Sequence, residues 1–323
     1  MPQSKGTMRK AFVDLLLFAM PTLLACSATS STRFSSDSGS ASGSVGPTGS
    51  SGVGGADFSG SGAGTTGSGE TGGCSEAATY VYVLSTDSDL WRFRPDKKLF
   101  TKIGHLGCAT SMQPNSMAVD RDATAWVNYV GNDGLSDTSG ALYAVSTANA
   151  SCAPAGHPLP ESWFRLGMGF STDGNEGDSE TLYLTGTNGG VGLAAFDFAA
   201  KTVKPIGQFS GALAGKNAEL TGTGDGRLFG FFTTSPVEVA ELDKNSAAIV
   251  ATKSMPQVPT PSAWAFSFWG GDFFLYTSDG FSNTRVSRYR PSDNSVVTDY
   301  MPDVGFVIVG AGVSTCAPIE PPK

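Results

Sequence analysis

Residues 305 to 316 read Gly-Phe-Val-Ile-Val-Gly-Ala-Gly-Val-Ser-Thr-Cys, an apolar run with no strand-forming segment after it. Such a run is typical of a β-strand that is buried on both faces. A single strand cannot pair its own backbone N–H and C=O groups, so this one must pair with strands from earlier in the chain. The stretch therefore predicts a sheet that joins the C-terminal part of the chain to a distant part.

A short pattern recurs along the rest of the chain: two apolar residues three positions apart, followed by a turn residue. It begins at Leu90, Leu142, Leu193, Val239 and Val286, at steps of 52, 51, 46 and 47 residues. An aromatic-rich strand precedes each copy and a more polar strand follows it, while a strand rich in Gly and Ala opens the later units. Four antiparallel strands at a steady period indicate the blade of a β-propeller.

The blade count depends on the two ends of this repeat. The first unit, residues 78–104, has three strands and lacks the Gly-rich one, which residues 305–316 can supply. We therefore expect an all-β fold, a propeller of five four-stranded blades closed by the C-terminal strand. Two alternatives stay open: six blades, with extra strands in residues 131–140 and 171–180, and a β-sandwich or solenoid.

The cysteines agree with this closure. Cys74 and Cys316 flank the junction between the closing strand and the first unit, so we expect a disulfide between them. A second disulfide, Cys108 to Cys152, follows by elimination, and reduced, buried cysteines are the alternative. With no C-x-x-C pair and two histidines, a Cys/His zinc site is not expected.

Residues 1–25 have the parts of a signal peptide: a basic start, then an apolar run of about fourteen residues, which is too short to span a bilayer. The run ends at Leu23-Leu24-Ala25-Cys26, which resembles the lipobox of bacterial lipoproteins. The resemblance implies cleavage before Cys26 and attachment of fatty acid (palmitate-type) chains to it. Whether the chain starts at Met1 or Met8 is open, as is an ordinary signal peptide followed by an unmodified cysteine.

Residues 26–73 are mostly Ser, Gly, Thr and Ala, so they cannot bury enough apolar surface to offset the entropy of ordering. We expect lipidated Cys26 with a disordered tether, and the propeller domain in residues 74–323. Ser27 is not the Asp of an inner-membrane retention signal, so the outer membrane is favoured, facing the periplasm or the cell surface.

The charge balance limits the partners. The formal net charge is −8, and because the leader carries a net +2, the mature chain would carry −10. A chain this acidic, with no basic cluster, is not expected to bind nucleic acid, which requires positive charge to displace counterions. The membrane is expected as a partner through the lipid anchor alone, and a monomer is expected.

No catalytic motif is present, so candidate site residues come from loops and aromatic side chains. Trp163 and Trp269, near predicted strand ends, are candidates for exposed rings on a glycan- or peptide-binding face. Asp173, Asn175 and Asp178 place oxygen ligands at alternating positions, which suggests Ca²⁺, although the spacing does not match an EF-hand. No cofactor is otherwise expected.

Three segments, Ala218–Asp225, Ala263–Gly271 and Val309–Cys316, resemble a group of predicted lipoproteins from myxobacteria that combine the same leader, tether and propeller-like repeats. The resemblance covers residues 74–319. It implies the architecture and the compartment and implies no activity.

The leading hypothesis is a lipid-anchored envelope protein that presents a propeller binding face to a protein or glycan and is not an enzyme. The alternative is an envelope lyase or hydrolase with acidic residues at the propeller axis, because propellers host both functions. A structural envelope component without a small ligand is a third possibility. Several carboxylates around the axis would favour the enzyme, and an exposed aromatic patch would favour binding.

Overall fold

The structure is a computed structural model that describes residues 74–174, 179–187 and 190–322. The predicted signal peptide, Cys26 and the tether lie outside the described residues, so their boundaries stay predictions. Among the described residues, no helix combines the length and the hydropathy needed to cross a membrane.

Twenty strands make up most of the described chain. In chain order they are β1 (Val81–Ser85), β2 (Asp89–Arg94), β3 (Leu99–His105), β4 (Gln113–Val119), β5 (Thr124–Asn132), β6 (Asp137–Ser146), β7 (His157–Pro158), β8 (Leu166–Thr172), β9 (Glu180–Gly186), β10 (Leu193–Asp197), β11 (Thr202–Gly207), β12 (Ala218–Gly222), β13 (Leu228–Phe232), β14 (Val237–Leu242), β15 (Ile249–Met255), β16 (Ala263–Trp269), β17 (Asp272–Ser278), β18 (Arg285–Arg290), β19 (Ser295–Met301) and β20 (Ile308–Val313).

These strands form five antiparallel four-stranded sheets, in the orders β20-β1-β2-β3, β4-β5-β6-β7, β8-β9-β10-β11, β12-β13-β14-β15 and β16-β17-β18-β19. The first strand of each order contacts the first strands of the two neighbouring sheets, so β20, β4, β8, β12 and β16 form a closed ring around an axis. The five-bladed propeller is confirmed, and the six-bladed, sandwich and solenoid alternatives are wrong. Residues 131–140, where an extra strand was an option, lie in the long β5–β6 hairpin.

The blade that closes the ring combines both parts of the chain, as expected. Strand β20 pairs antiparallel with β1, with Val81 opposite Val313. The Cys74–Cys316 disulfide lies beside this pairing, with 5.8 Å between the Cα atoms. The second disulfide, Cys108–Cys152, is also present and joins the segment before β4 to the segment after β6. Both predicted pairings are confirmed.

The inner strands require small residues because their backbones approach each other closely. A Cβ added to Gly167 would lie 2.0 Å from the carbonyl oxygen of Ala218, and one added to Gly222 would lie 2.1 Å from that of Phe170. No side chain fits at such distances. The Gly-rich sequence of the inner strands is therefore a consequence of the ring geometry.

The outer strands are the most exposed, and one of them differs from expectation. In β3, β15 and β19, exposed and half-exposed positions predominate. In the second sheet, the predicted polar strand is reduced to β7, which is two residues long at His157–Pro158. Pro154 has no N–H to donate to a ladder, so the segment before it makes a single bridge, between Val145 and Cys152.

Candidate functional site

The five inner strands run in the same direction around the axis, which gives the ring two distinct ends. Gly310 of β20 lies against Met117 of β4, and Gly312 lies against Ala118, so both strands advance together. We call the end at which the inner strands begin the upper end, and the end at which they finish the lower end. Each end contains a glutamate: Glu219 at the upper end is buried, and Glu180 at the lower end is half-buried.

A cavity of about 300 Å³ lies at the upper end of the axis. All five sheets contribute to its lining, which consists of Asn115, Arg165, Thr187, Glu219, Ser262, Ala263, Trp264 and Val309. Among these described lining residues, the ionisable side chains are Arg165 and Glu219.

The backbone around Arg165 is fixed by the buried side chain of Asn128. The Nδ2 atom of Asn128 donates to the carbonyl of Phe164 at 3.0 Å, and its Oδ1 atom accepts from the N–H of Leu166 at 3.0 Å. The N–H of Thr187 donates to the carbonyl of Arg165 at 2.9 Å. These hydrogen bonds therefore hold in place the backbone of Arg165, immediately before β8.

The guanidinium of Arg165 is held by two neighbours. Its Nε and Nη2 atoms each donate to a carboxylate oxygen of Asp137 at 2.9 Å, a bidentate pair in which the Asp137 side chain is 5% exposed. Its Nη1 atom donates to Oδ1 of Asn115 at 2.7 Å. The Nδ2 atom of Asn115 in turn donates to the carbonyl of Leu166 at 2.8 Å. This network orients the guanidinium before any ligand arrives.

Glu219, on β12, reaches the neighbouring inner strand β8 and, across the axis, the inner strand β4. Ser116 Oγ donates to Glu219 Oε2 at 2.9 Å, and the backbone N–H of Met168 also hydrogen-bonds to the carboxyl. The side chain is 3% exposed. Burial raises the pKa of Glu219 well above its usual range, and these hydrogen bonds offset only part of that effect. The charged form of Glu219 is therefore disfavoured at the cavity.

Trp264, on β16, supplies the aromatic surface of the cavity. Its Nε1 atom is buried and makes no hydrogen bond within the part of the chain that the structure describes. A buried donor without an acceptor costs stability. Because the Nε1 atom is buried, a ligand in the cavity would contact the indole ring and not this atom.

Glu180 closes the lower end. Its Oε1 atom accepts from the backbone N–H of Arg121 at 2.7 Å, and its Oε2 atom accepts from Thr315 Oγ1 at 2.8 Å, so it joins three blades. The guanidinium of Arg121 also reaches Cys74 Sγ at 3.7 Å, next to the closing disulfide. Burial raises the pKa of Glu180 to about 7, and the nearby Asp120 carboxylate adds to this effect. The lower end of the axis is thus occupied by Glu180 and the groups that hydrogen-bond to it.

A larger concavity, of about 460 Å³, lies between the fourth and fifth blades, with Ile319 and Glu320 forming part of its wall. Its guanidinium groups already have bidentate partners: Arg227 pairs with Glu241 and Arg290 pairs with Asp272. The aromatic rings at its base are buried and pack the two blades together; they belong to Phe229, Phe268 and Phe273. The axial cavity is therefore the better candidate site, although it is smaller.

The two tryptophans predicted for a binding face are both packed into the propeller. Trp163 is 7% exposed and belongs to the apolar cluster between the second and third blades, so the expected exposure of its ring is wrong. The indole of Trp163 packs in the same apolar cluster as Leu159 and Leu166. Trp269 is half-buried, and its Nε1 atom donates to the carbonyl of Thr79 at 2.9 Å, so a binding role for it stays a prediction.

The predicted calcium loop is described only at its beginning. Asp173 uses its side chain to accept a hydrogen bond from Thr181 Oγ1 at 2.6 Å, while Asn175 and Asp178 lie outside the described residues. Within the described ranges, no group of three or more His, Cys, Asp or Glu side chains is arranged to hold a metal ion. Calcium binding stays a prediction.

The residues of the axial cavity were not singled out from the sequence, although one signal was present. Glu219 is the single charged residue in Ala218-Glu-Leu-Thr-Gly222, a strand whose composition already predicted a place next to the axis. A charge at such a position is costly unless it is partnered or neutralised. Arg165 and Asn115 carry no comparable signal, because loops between blades are commonly polar.

The described chain is a five-bladed β-propeller with a polar cavity at one end of its axis. No protein-family model matches it, and no curated protein matches it. Among solved structures, a protein of unknown function from Bacteroides caccae is 12% identical, with a TM-score of 0.37, over 68% of this chain and 71% of the other.

Two further solved structures are similar at the same level. The gluconolactonase XC5397 of Xanthomonas campestris is 16% identical, with a TM-score of 0.40, over 61% of this chain and 68% of that one. TolB of Acinetobacter baumannii is 17% identical, with a TM-score of 0.40, over 70% of this chain and 54% of that one. Likeness at this level concerns the fold and carries nothing about activity.

Proposed function

We propose that this protein is a binding protein of the cell envelope, not an enzyme, and that it presents the upper end of its axis to a protein or glycan. The observation that carries the proposal is the axial cavity, where side chains from all five blades converge and the Arg165 network is orientated in advance. Pre-orientated polar groups around a concave surface are typical of small-ligand sites.

We also propose the outer membrane as its location, with a lipid anchor on Cys26 and the Ser/Gly-rich segment as a tether. The leader and the four residues Leu23–Cys26 support the anchor. Two disulfides support an oxidising compartment, because disulfides form and persist outside the cytoplasm.

A hydrolase or lyase is the alternative, and Glu219 is the observation in its favour. A buried carboxylic acid that stays protonated can act as a general acid. Glycosidic hydrolysis, however, uses two carboxyl groups, one on each side of the bond. Glu219 is the one carboxyl group among the described residues that line the cavity. A binding role therefore agrees better with this lining.

The binding face can be tested with the full chain, purified in detergent and used as bait against envelope extract. We expect Arg165→Ala to lose the partner that the wild type retains. Arg227→Ala is the matched control, because it also breaks a bidentate pair with a carboxylate but lies away from the axial cavity. If Arg165→Ala retains the same partner, the axial cavity is not the binding face. Turnover of an envelope glycan by the wild type would favour the enzyme.

The anchor has a separate test. We expect Cys26→Ser to move the protein from the membrane fraction to the soluble fraction and to abolish incorporation of labelled palmitate. A variant that stays in the membrane fraction would refute the lipid anchor and leave the cavity proposal untouched.

A further inference from the structure

The described lining of the axial cavity disfavours charged ligands. The charge of Arg165 is matched by the carboxylate of Asp137 in a bidentate pair. Burial raises the pKa of Glu219 well above its usual range, which disfavours its charged form. An anionic ligand would meet no unpaired cation there, and the chain as a whole is acidic, with a formal charge of −8. A cationic ligand would require Glu219 to ionise in a buried position, which is costly.

The cavity nevertheless offers hydrogen-bond donors. An arginine has five N–H groups, and three of those on Arg165 are used by Asp137 and Asn115, so two are left by the described groups. A purely apolar ligand would bury these two donors without acceptors, which is costly. The ligand should therefore be uncharged and rich in oxygen acceptors.

Size and surface restrict the ligand further. A cavity of about 300 Å³ is at the lower end of the range for small-molecule sites, about 300–1,000 Å³. That volume suits roughly one ring with its substituents. An indole presents an apolar face next to a polar edge, a combination that matches the C–H face and the hydroxyl groups of a sugar ring.

We propose that the axial cavity binds one neutral sugar residue, a hexose or an N-acetylhexosamine, at the end of a glycan. Arg165 donates hydrogen bonds to its oxygens, the indole of Trp264 packs against its C–H face, and Glu219 forms the floor between β4 and β8. The inference rests on the proposed function, because it chooses the glycan from the two partner classes and names the chemistry of its terminal residue.

The test is titration calorimetry on the full chain in detergent with three sets of ligands: neutral sugars (glucose, galactose, N-acetylglucosamine), acidic sugars (glucuronic acid, sialic acid) and basic glucosamine. We expect saturable binding of at least one neutral sugar, at least tenfold tighter than that of any acidic or basic one. Equal or tighter binding of an acidic sugar would overturn the inference.

One substitution and its control identify the site. Trp264→Leu removes the flat indole surface from the cavity lining, so we expect an affinity loss of about fivefold or more, with thermal unfolding as the check that the variant is folded. Trp126→Leu is the matched control, because its indole donates to Asp120 at 2.9 Å, away from the cavity. Unchanged sugar affinity in Trp264→Leu would contradict the inference.

The remaining outcomes separate this inference from the proposed function. If no sugar binds but the bait retains a partner that Arg165→Ala loses, the sugar inference fails and the binding function stands. If no sugar binds and no partner is retained, both fail.

Discussion

The two ends of the propeller axis each contain a glutamate, buried at the upper end and half-buried at the lower end, and the two glutamates differ in their neighbours. At the upper end, Glu219 is 3% exposed and hydrogen-bonds to Ser116 and Met168, below a cavity lined by all five blades. At the lower end, Glu180 joins three blades beside the closing disulfide. Burial raises the pKa of both, but that of Glu180 stays near 7, within the physiological range.

The difference teaches how neighbours decide the role of a buried carboxyl. Glu180 receives hydrogen bonds at both oxygens and has the Arg121 charge close by, and these interactions offset part of the desolvation. Glu219 accepts hydrogen bonds from Ser116 and Met168, which are neutral, so its charged form stays unfavourable. The upper end therefore holds a carboxyl group that resists ionisation, and the lower end holds one that titrates at about pH 7.

The largest expected loss of stability comes from removing the disulfide at the lower end of the axis. The Cys74–Cys316 disulfide spans 242 residues and the Cys108–Cys152 disulfide spans 44. The chain-entropy estimate of their contributions is about 5 and about 4 kcal/mol. We expect the double Ser variant of the first pair to lose more stability than that of the second in guanidinium unfolding. Equal losses would mean that closure of the ring does not depend on the longer loop.

A smaller effect of opposite sign, a gain in stability, is expected when Glu180 is replaced by a side chain that cannot ionise. The folded protein binds the carboxyl proton up to a pH of about 7, whereas the unfolded chain releases it near pH 4.5. Stability is therefore lost as the pH rises through this window. Glu180→Gln, which cannot ionise, should match wild type at pH 4 and exceed it at pH 8 by on the order of 2–3 kcal/mol.

Thermal or denaturant unfolding at both pH values checks this, with Glu241→Gln as a control. The pKa of Glu241 is lowered by its hydrogen bond to Arg227, so removing its charge should destabilise the fold at pH 8. A Glu180→Gln variant that is less stable than wild type at pH 8 would contradict a raised pKa.

The smallest effect on stability is expected from a substitution at the upper end, on the inner strand β8. Gly167→Ala places a methyl group 2.0 Å from the Ala218 carbonyl oxygen, next to Glu219, and overpacking of this kind costs about 1–3 kcal/mol. Gly107→Ala is the control, because no described atom lies within 4 Å of its added Cβ. Denaturant unfolding should separate the two, and equal stability would show that the inner strands can move apart.

The fold could be predicted from the sequence because each blade leaves local marks. The period near 50 residues, the Gly-rich strand at the axis and the incomplete first unit all depend on short-range patterning, and they gave the blade count, the closing strand and the partner of Cys316. The exception, the two-residue strand β7, follows from Pro154, whose effect on one edge strand is too local for a repeat to reveal.

The site was less accessible to this reasoning, because it depends on which residues meet across the axis. Arg165 and Asp137 are 28 positions apart, and Ser116 and Glu219 are 103 apart. No local pattern encodes such pairs. Exposure of Trp163 was misjudged for the same reason: a tryptophan near a strand end faces solvent or a neighbouring blade depending on packing that the strand itself does not specify.

The shared blade has a consequence for how the chain is made. Strand β20 follows every other described strand in sequence, yet it pairs with the inner edge of β1, the first of the described strands to be synthesised. Until β20 has emerged, that edge presents unpaired N–H and C=O groups, which can template pairing with another chain. A newly made propeller therefore has an unpaired strand edge at β1 that can associate with another chain. This edge is covered only when β20 pairs with it.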